Sequence, residues 1–337
     1  MRAATPAPKI IQVALCSSAL TRSVRLYCEA FGFADAGGRT FWGEWLARVQ
    51  GLGTEAETIL WWLVGRQDYF QLEFFNHTQP RQRPIPDDWR ASDHGWVRWG
   101  LAVPDFDDAL ARLDRLGVEP MTEPMSCGGL RRVCFRDPEV GVVVEVMEEG
   151  RELPGGIRPR HYDLVPAVVY AAVSVPDLDR ARTLYVDTVG LVAEPETVLH
   201  PPELEALWGL EGARRKSFVA RGGDIYLEVV EYEEPVGRPK PPGYRLSDQG
   251  FMNIAIGLRD RDSLEELIAR LAANGHEANH SELPPPPSGG TYITDADGIS
   301  LEVFAAPREF DEEFGFRPQA TFGHPGLWPH PGVGPAG

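Results

Sequence analysis

Four glutamates sit in closely similar surroundings along this 337-residue chain: Glu73 in YFQLEFF (69–75), Glu145 in VVVEVM (142–147), Glu228 in YLEVV (226–230) and Glu302 in ISLEVF (299–304). Each is flanked by apolar residues, and the two-residue period of a strand places each acid on the face opposite its aliphatic neighbours. In YFQLEFF, for example, Phe70, Leu72 and Phe74 share one face, and Gln71, Glu73 and Phe75 share the other. One such strand alone would hold its glutamate in water. Two facing carboxylates in enclosed space can share one proton, which raises one pKa and yields a base able to remove a proton next to a carbonyl.

The elements that carry these acids recur. ALTRSVRLY (19–27) followed by FGF (31–33) matches DLDRARTLY (177–185) followed by VGL (189–191), and RPIPDDWRASDHGW (83–96) matches RPKPPGYRLSDQGF (238–251). The offsets are 158 and 155 residues, so the chain is a duplication. Each half divides again into an apolar strand, a helix and further strands, with helices expected at 105–116 and 262–274. The count is four βαβββ units. Stretches at 76–95, 147–167 and 233–250, rich in Pro, Gly and charge, are expected to be linkers.

Composition bounds the partners. Lys plus Arg number 33 against 50 Asp plus Glu, a net charge of −17 that repels phosphate backbones and anionic lipid, so neither nucleic acid nor a membrane is an expected partner. No run of about 18 uncharged apolar residues is present. The segment 10–20 is better taken as a first strand than as a signal peptide. Cys16, Cys28, Cys127 and Cys134 form no CxxC pattern and no disulfide framework, so reduced thiols and a cytoplasmic location are expected.

These residues resemble the vicinal oxygen chelate superfamily of glyoxalase I, extradiol dioxygenases, methylmalonyl-CoA epimerase and the bleomycin- and fosfomycin-resistance proteins. The motifs are VPDLDRARTLYVDTVGL (175–191), its weaker copy at 17–33, the glutamate strands, and the hairpins FRDPEVGVVVEVME (135–148) and ITDADGISLEVF (293–304). The resemblance covers about residues 10–310. It implies an α+β fold in which four βαβββ modules form two domains with cupped mixed sheets, at 1–150 and 165–310, followed by an extension at 311–337. It also implies that the four glutamates line cups, together with one residue from the first strand of each unit: Gln12, Arg98, Tyr170 and Asn253.

Family members pair their units in two ways. Pairing of neighbours joins Gln12, Glu73, Arg98 and Glu145 in one cup, and Tyr170, Glu228, Asn253 and Glu302 in the other. Pairing of outer with outer and inner with inner joins Gln12, Glu73, Asn253 and Glu302, leaving Arg98, Glu145, Tyr170 and Glu228. Linkers of roughly 20 residues reach across either arrangement. Under both, Arg98 meets two carboxylates and repels a divalent cation, so that cup is expected to hold a buried ion pair in place of metal. The Asn253 and Glu302 cup offers only oxygen donors, which suit Mg²⁺, Mn²⁺ or Ca²⁺.

Superfamily metal sites commonly use histidine at these positions, and here none does. His77, His94, His161, His200, His276, His280, His324 and His330 fall in expected loops, helix ends or the tail, where solvated rings are expected. A histidine-based iron site is therefore not expected. Asp295-Ala296-Asp297-Gly298 is explained by a hairpin turn, Pro284 to Pro287 could form a lid, and the abundant tryptophans suit cups for apolar or aromatic ligands. The expected function is that of an isomerase or lyase on a small carbonyl compound, hydrophobic or aromatic, using Glu302 or Glu73 as base, in a monomer or homodimer. The alternatives are a resistance-type binding protein and a dioxygenase with an atypical metal site.

Overall fold

The computed structural model describes residues 8–53, 55–150 and 164–319. The first unit comprises β1 (Lys9–Cys16), α1 (Leu20–Phe31), β2 (Ala34–Trp42), the short α2 (Glu44–Val49), β3 (Glu57–Val64) and β4 (Gln71–Gln79). The second comprises β5 (Gly95–Val103), α3 (Phe106–Arg115), β6 (Met125–Cys127), β7 (Leu130–Arg136) and β8 (Val143–Glu148). The third has β9 (Ala167–Ser174), α4 (Leu178–Arg182) continued by a π turn, β10 (Val192–Glu194), β11 (Arg214–Gly222) and β12 (Ile225–Glu234). The fourth has β13 (Gly250–Leu258), α5 (Arg261–Ala273), β14 (Gly289–Thr294) and β15 (Ser300–Ala305), with a single bridge from Ala278 to Ile293 in place of a full strand.

The recurring Asp before each helix has a local cause. Asp105, Asp177 and Asp260 accept hydrogen bonds from the backbone N–H groups of Asp108, Arg180 and Ser263, satisfying donors that the first turn leaves open. The weaker copy has Ala19 at that position and no side-chain cap. The first strand ends at Cys16, and Leu20 opens α1, so the apolar run expected as one strand turns into a helix.

Two mixed sheets result, and they settle the pairing. One sheet runs β14-β15-β13-β1-β4-β3-β2, uniting the first and fourth units. The other runs β10-β11-β12-β9-β5-β8-β7-β6, uniting the second and third. Antiparallel pairs β1 with β13 and β5 with β9 make the seams. The aliphatic face of each sheet packs against its helices in one continuous core that includes Leu15, Leu72, Phe74, Leu101, Val144, Leu227 and Leu301. The opposite faces are the cups.

The described chain continues beyond the fourth unit to Gln319 as a segment folded back on the first sheet. Its ties include Arg259 with Asp311, and the Gln319 N–H donating to the Asp35 carbonyl at 3.0 Å. The rest of the extension, with His324 and His330, and the linker carrying His161 lie outside the described residues.

Candidate functional site

The first cup is built from two neighbouring rungs of four strands. Gln71, Gln12, Ala255 and Glu302 lie side by side on one rung; Glu73, Ala14, Asn253 and Ser300 lie on the next. Ala14 and Ala255 at the centre are too small to fill the floor, so the longer side chains around them converge. The Gln12 amide nitrogen donates to Glu73, and to Glu302 Oε2 at 3.2 Å. Trp62 Nε1 donates to Glu73 Oε1 at 2.8 Å, and Asn253 Nδ2 reaches Glu302 Oε2 at 3.5 Å.

Above this floor opens a cavity of about 290 Å³ walled by Phe41, Trp45, Trp62, Phe75, Tyr292 and Phe304, with Glu73 and Glu302 at its base. Volume and lining fit a small apolar ligand. Pro284 and Ser288, at the two ends of the proline run, also line the cavity. Phe314 and Phe316, on the segment after the fourth unit, complete the wall. Between them Gly315 has φ +72°, and a side chain there would collide with the Trp62 ring.

Burial pushes Glu73 well above the usual carboxylate range, and the neighbouring charge of Glu302 pushes it further. Burial likewise lifts Glu302 to about 7, against hydrogen bonds from Asn253, Tyr292 and Gln12 that favour its ionised form. Each acid is harder to ionise while the other is charged, so the pair resists carrying two negative charges. Glu73 is buried, whereas Glu302 is half-buried and faces the cavity.

The second cup is filled by the protein itself. Arg98 pairs with Glu228 at 2.5 Å, and its guanidinium lies 4.1 Å from the Trp208 ring centre. Glu145 is met instead by Arg132 at 3.3 Å and by the Tyr170 hydroxyl at 2.6 Å. The expected ion pair is present, with Glu228 as its acid and Glu145 held by other groups. His200, expected to be solvated, is 2% exposed and bridges both acids, with Nδ1 2.8 Å from Glu228 and Nε2 2.9 Å from Glu145. Desolvation opposes the imidazolium, but Glu228 and Glu145 outweigh it and raise the His200 pKa. A protonated ring donating from both nitrogens thus sits between the carboxylates. His77 is the second correction: β4 runs on to Gln79, and the ring is 3% exposed.

A family model described as the Glyoxalase/Bleomycin resistance protein/Dioxygenase superfamily matches residues 9–146 and 167–303. The chain belongs to this superfamily. Among solved structures, a putative dioxygenase from Bacillus subtilis subsp. subtilis str. 168 is similar at 14% identity and a TM-score of 0.59, covering 93% of this chain and 91% of that one. Glyoxalase I from Zea mays is similar at 15% identity and a TM-score of 0.58, covering 89% and 92%. At such identities the likeness is one of fold. No curated protein matches the sequence.

Superfamily membership raises the question of a metal, and the first cup's donors bear on it. Among the described residues no group of three or more His, Cys, Asp and Glu side chains is placed to hold an ion. The cup instead offers two carboxylates and two amides. The buried Asn253 Oδ1 has no hydrogen-bond partner. Turning the Gln71 amide lets its nitrogen donate to the Gly315 and Phe314 carbonyls at 2.7 and 2.9 Å and leaves its oxygen facing Gln12. The side chains of Gln12, Glu73, Asn253 and Glu302 offer oxygen atoms and no imidazole or thiolate as potential ligands. This set fits a hard divalent cation such as Mg²⁺, Mn²⁺ or Ca²⁺.

Proposed function

We propose that this chain is an isomerase or lyase that moves a proton on a small apolar or aromatic carbonyl compound in the cup of Glu73 and Glu302. The observation carrying this reading is a buried carboxylate pair at the floor of a cavity whose walls are aromatic. Burial and the neighbouring Glu302 charge keep the proton on Glu73, and Trp62 and Gln12 fix its position. Glu302 faces the cavity and takes the proton from the carbon beside the substrate carbonyl. The proton on Glu73 meets the developing oxyanion. Phe314, Phe316 and Trp62 exclude water, which strengthens that interaction. A hard cation held by Gln12, Glu73, Asn253 and Glu302 would add polarisation of that oxygen.

The aromatic wall alone would also support a second reading, sequestration without turnover. Incubation of small aryl ketones and hydroxyketones with the protein in D₂O, followed by NMR, separates the two. Enzyme-dependent loss of the proton next to the carbonyl is expected. Binding with no exchange across the panel would overturn the catalytic reading.

A further inference from the structure

One rung beyond Ala14 and Glu73, the cup face of the first sheet carries a second group of ligating side chains. On β1 the alternation that presents Gln12 and Ala14 next presents Cys16, and on β4 the one that presents Glu73 and Phe75 next presents His77. In β13 a bulge sets Asn253 opposite Ala14 and Phe251 opposite Leu15, so Met252 is an extra residue turned to the cup side. Cys16, His77 and Met252 are 0, 3 and 2% exposed.

The Cys16 sulfur is close to both of the other donor atoms. Cys16 Sγ lies 3.9 Å from His77 Nδ1 and 3.7 Å from Met252 Sδ. One ion bonded to sulfur at about 2.3 Å and to nitrogen at about 2.0 Å, with angles of 110–120°, spans S···N of roughly 3.5–3.7 Å and S···S of roughly 3.8–4.0 Å. The observed separations differ from these by only a few tenths of an ångström.

The imidazole is set for the task. Gln50 Oε1 accepts a hydrogen bond from His77 Nε2 at 2.9 Å, which leaves the lone pair of Nδ1 facing the sulfur. Burial lowers the His77 pKa to about 4, so the ring is neutral. Burial also raises the Cys16 thiol, which in the metal-free protein stays protonated and lies 3.5 Å from the Leu246 carbonyl. The duplicated sheet is an internal contrast. The residues equivalent by the 158 and 155 offsets are Ser174, Tyr232 and Val97, which lack both sulfurs and the imidazole.

We propose that Cys16, His77 and Met252 form a binding site for a soft monovalent metal ion, copper(I). A thiolate, a thioether and one imidazole in a dry pocket favour copper(I) over the hard cations that suit the neighbouring cup. On binding, the thiol proton passes to solvent as the copper–sulfur bond forms, and no electron is transferred. The site abuts the candidate catalytic cup: Gln50 lines the cavity and hydrogen-bonds both His77 and Tyr292, and Tyr292 in turn hydrogen-bonds Glu302.

The test is an anaerobic titration of the reduced full chain with copper(I) supplied as its acetonitrile complex, against a chromophoric copper(I) chelator. One equivalent is expected to bind, and X-ray absorption at the copper edge is expected to show two sulfurs and one nitrogen. Cys16→Ala and Met252→Leu, checked for fold by circular dichroism, are each expected to weaken binding at least about tenfold, and Gln50→Leu by about 10–100-fold. Absence of a one-to-one complex, a shell without two sulfurs, or wild-type affinity in folded Cys16→Ala or Met252→Leu would overturn the site. The absorption measurement needs no variant, so it decides the matter even where a substitution unfolds the chain.

Discussion

Arg98→Ala removes the one guanidinium that, among the described residues, pairs closely with Glu228 in the second cup. The side chain is fully buried, sits 2.5 Å from Glu228, stacks 4.1 Å over Trp208 and donates to the Tyr232 hydroxyl at 3.3 Å. A second guanidinium, that of Arg215, is 3.7 Å from Glu228. Truncation leaves Glu228, which has no exposure, with only the His200 ring at 2.8 Å and the more distant Arg215 as charged partners, and it opens a hole under the indole. Breaking a buried pair in this way costs about 3–5 kcal/mol. For a chain of this size each kcal/mol lowers Tm by roughly 1.4 °C, so a fall of about 4–7 °C is expected. Differential scanning calorimetry at pH 7 gives the number, and ligand binding in the first cup, measured well below the transition, is expected to stay near wild type. A melting temperature unchanged within error would refute the filled second cup.

The remaining expectations concern charge and metal. Because the folded His200 pKa is raised, its contribution to stability is full below the unfolded value of about 6.5 and is lost as pH rises through the folded value. The urea midpoint of wild type relative to His200→Gln should therefore shrink from pH 6 to pH 9; a difference that grows would contradict the bridging imidazolium. With Glu302 titrating at about 7 and acting as a base, kcat/KM should fall roughly tenfold per pH unit below that point, and a flat profile from pH 5 to 8 would exclude it. Protein purified without chelator or nickel resin should carry less than about 0.2 equivalents of iron, zinc or nickel, since no histidine stands among the first cup's four donors. Stoichiometric transition metal ligated in that cup would contradict its oxygen-donor character.

Much of this was legible in the sequence because strands with one buried face allow no slip. The period of two places Glu73 and Glu302 opposite Leu72 and Leu301 whatever the rest of the chain does. Unit pairing was not legible, because linkers of that length reach either partner; the β1–β13 and β5–β9 seams decide it. His77 was within reach of the same arithmetic, four residues beyond Glu73, but the expected strand stopped at Phe75. Taking β4 on to Gln79 would have found it. His200 and Phe314 carried no such signal. One lies in a connection between β10 and β11 and the other beyond the last repeat, and only the tertiary fold brings them to the cups.

Glu302→Gln tests the central claim most directly. The change preserves volume and hydrogen bonding to Asn253 and Gln12 while removing basicity. With the D₂O exchange assay and a ligand titration run on the same variant, exchange should fall roughly 10²–10⁴-fold while affinity stays within several-fold. Full exchange activity in folded Glu302→Gln would contradict the account.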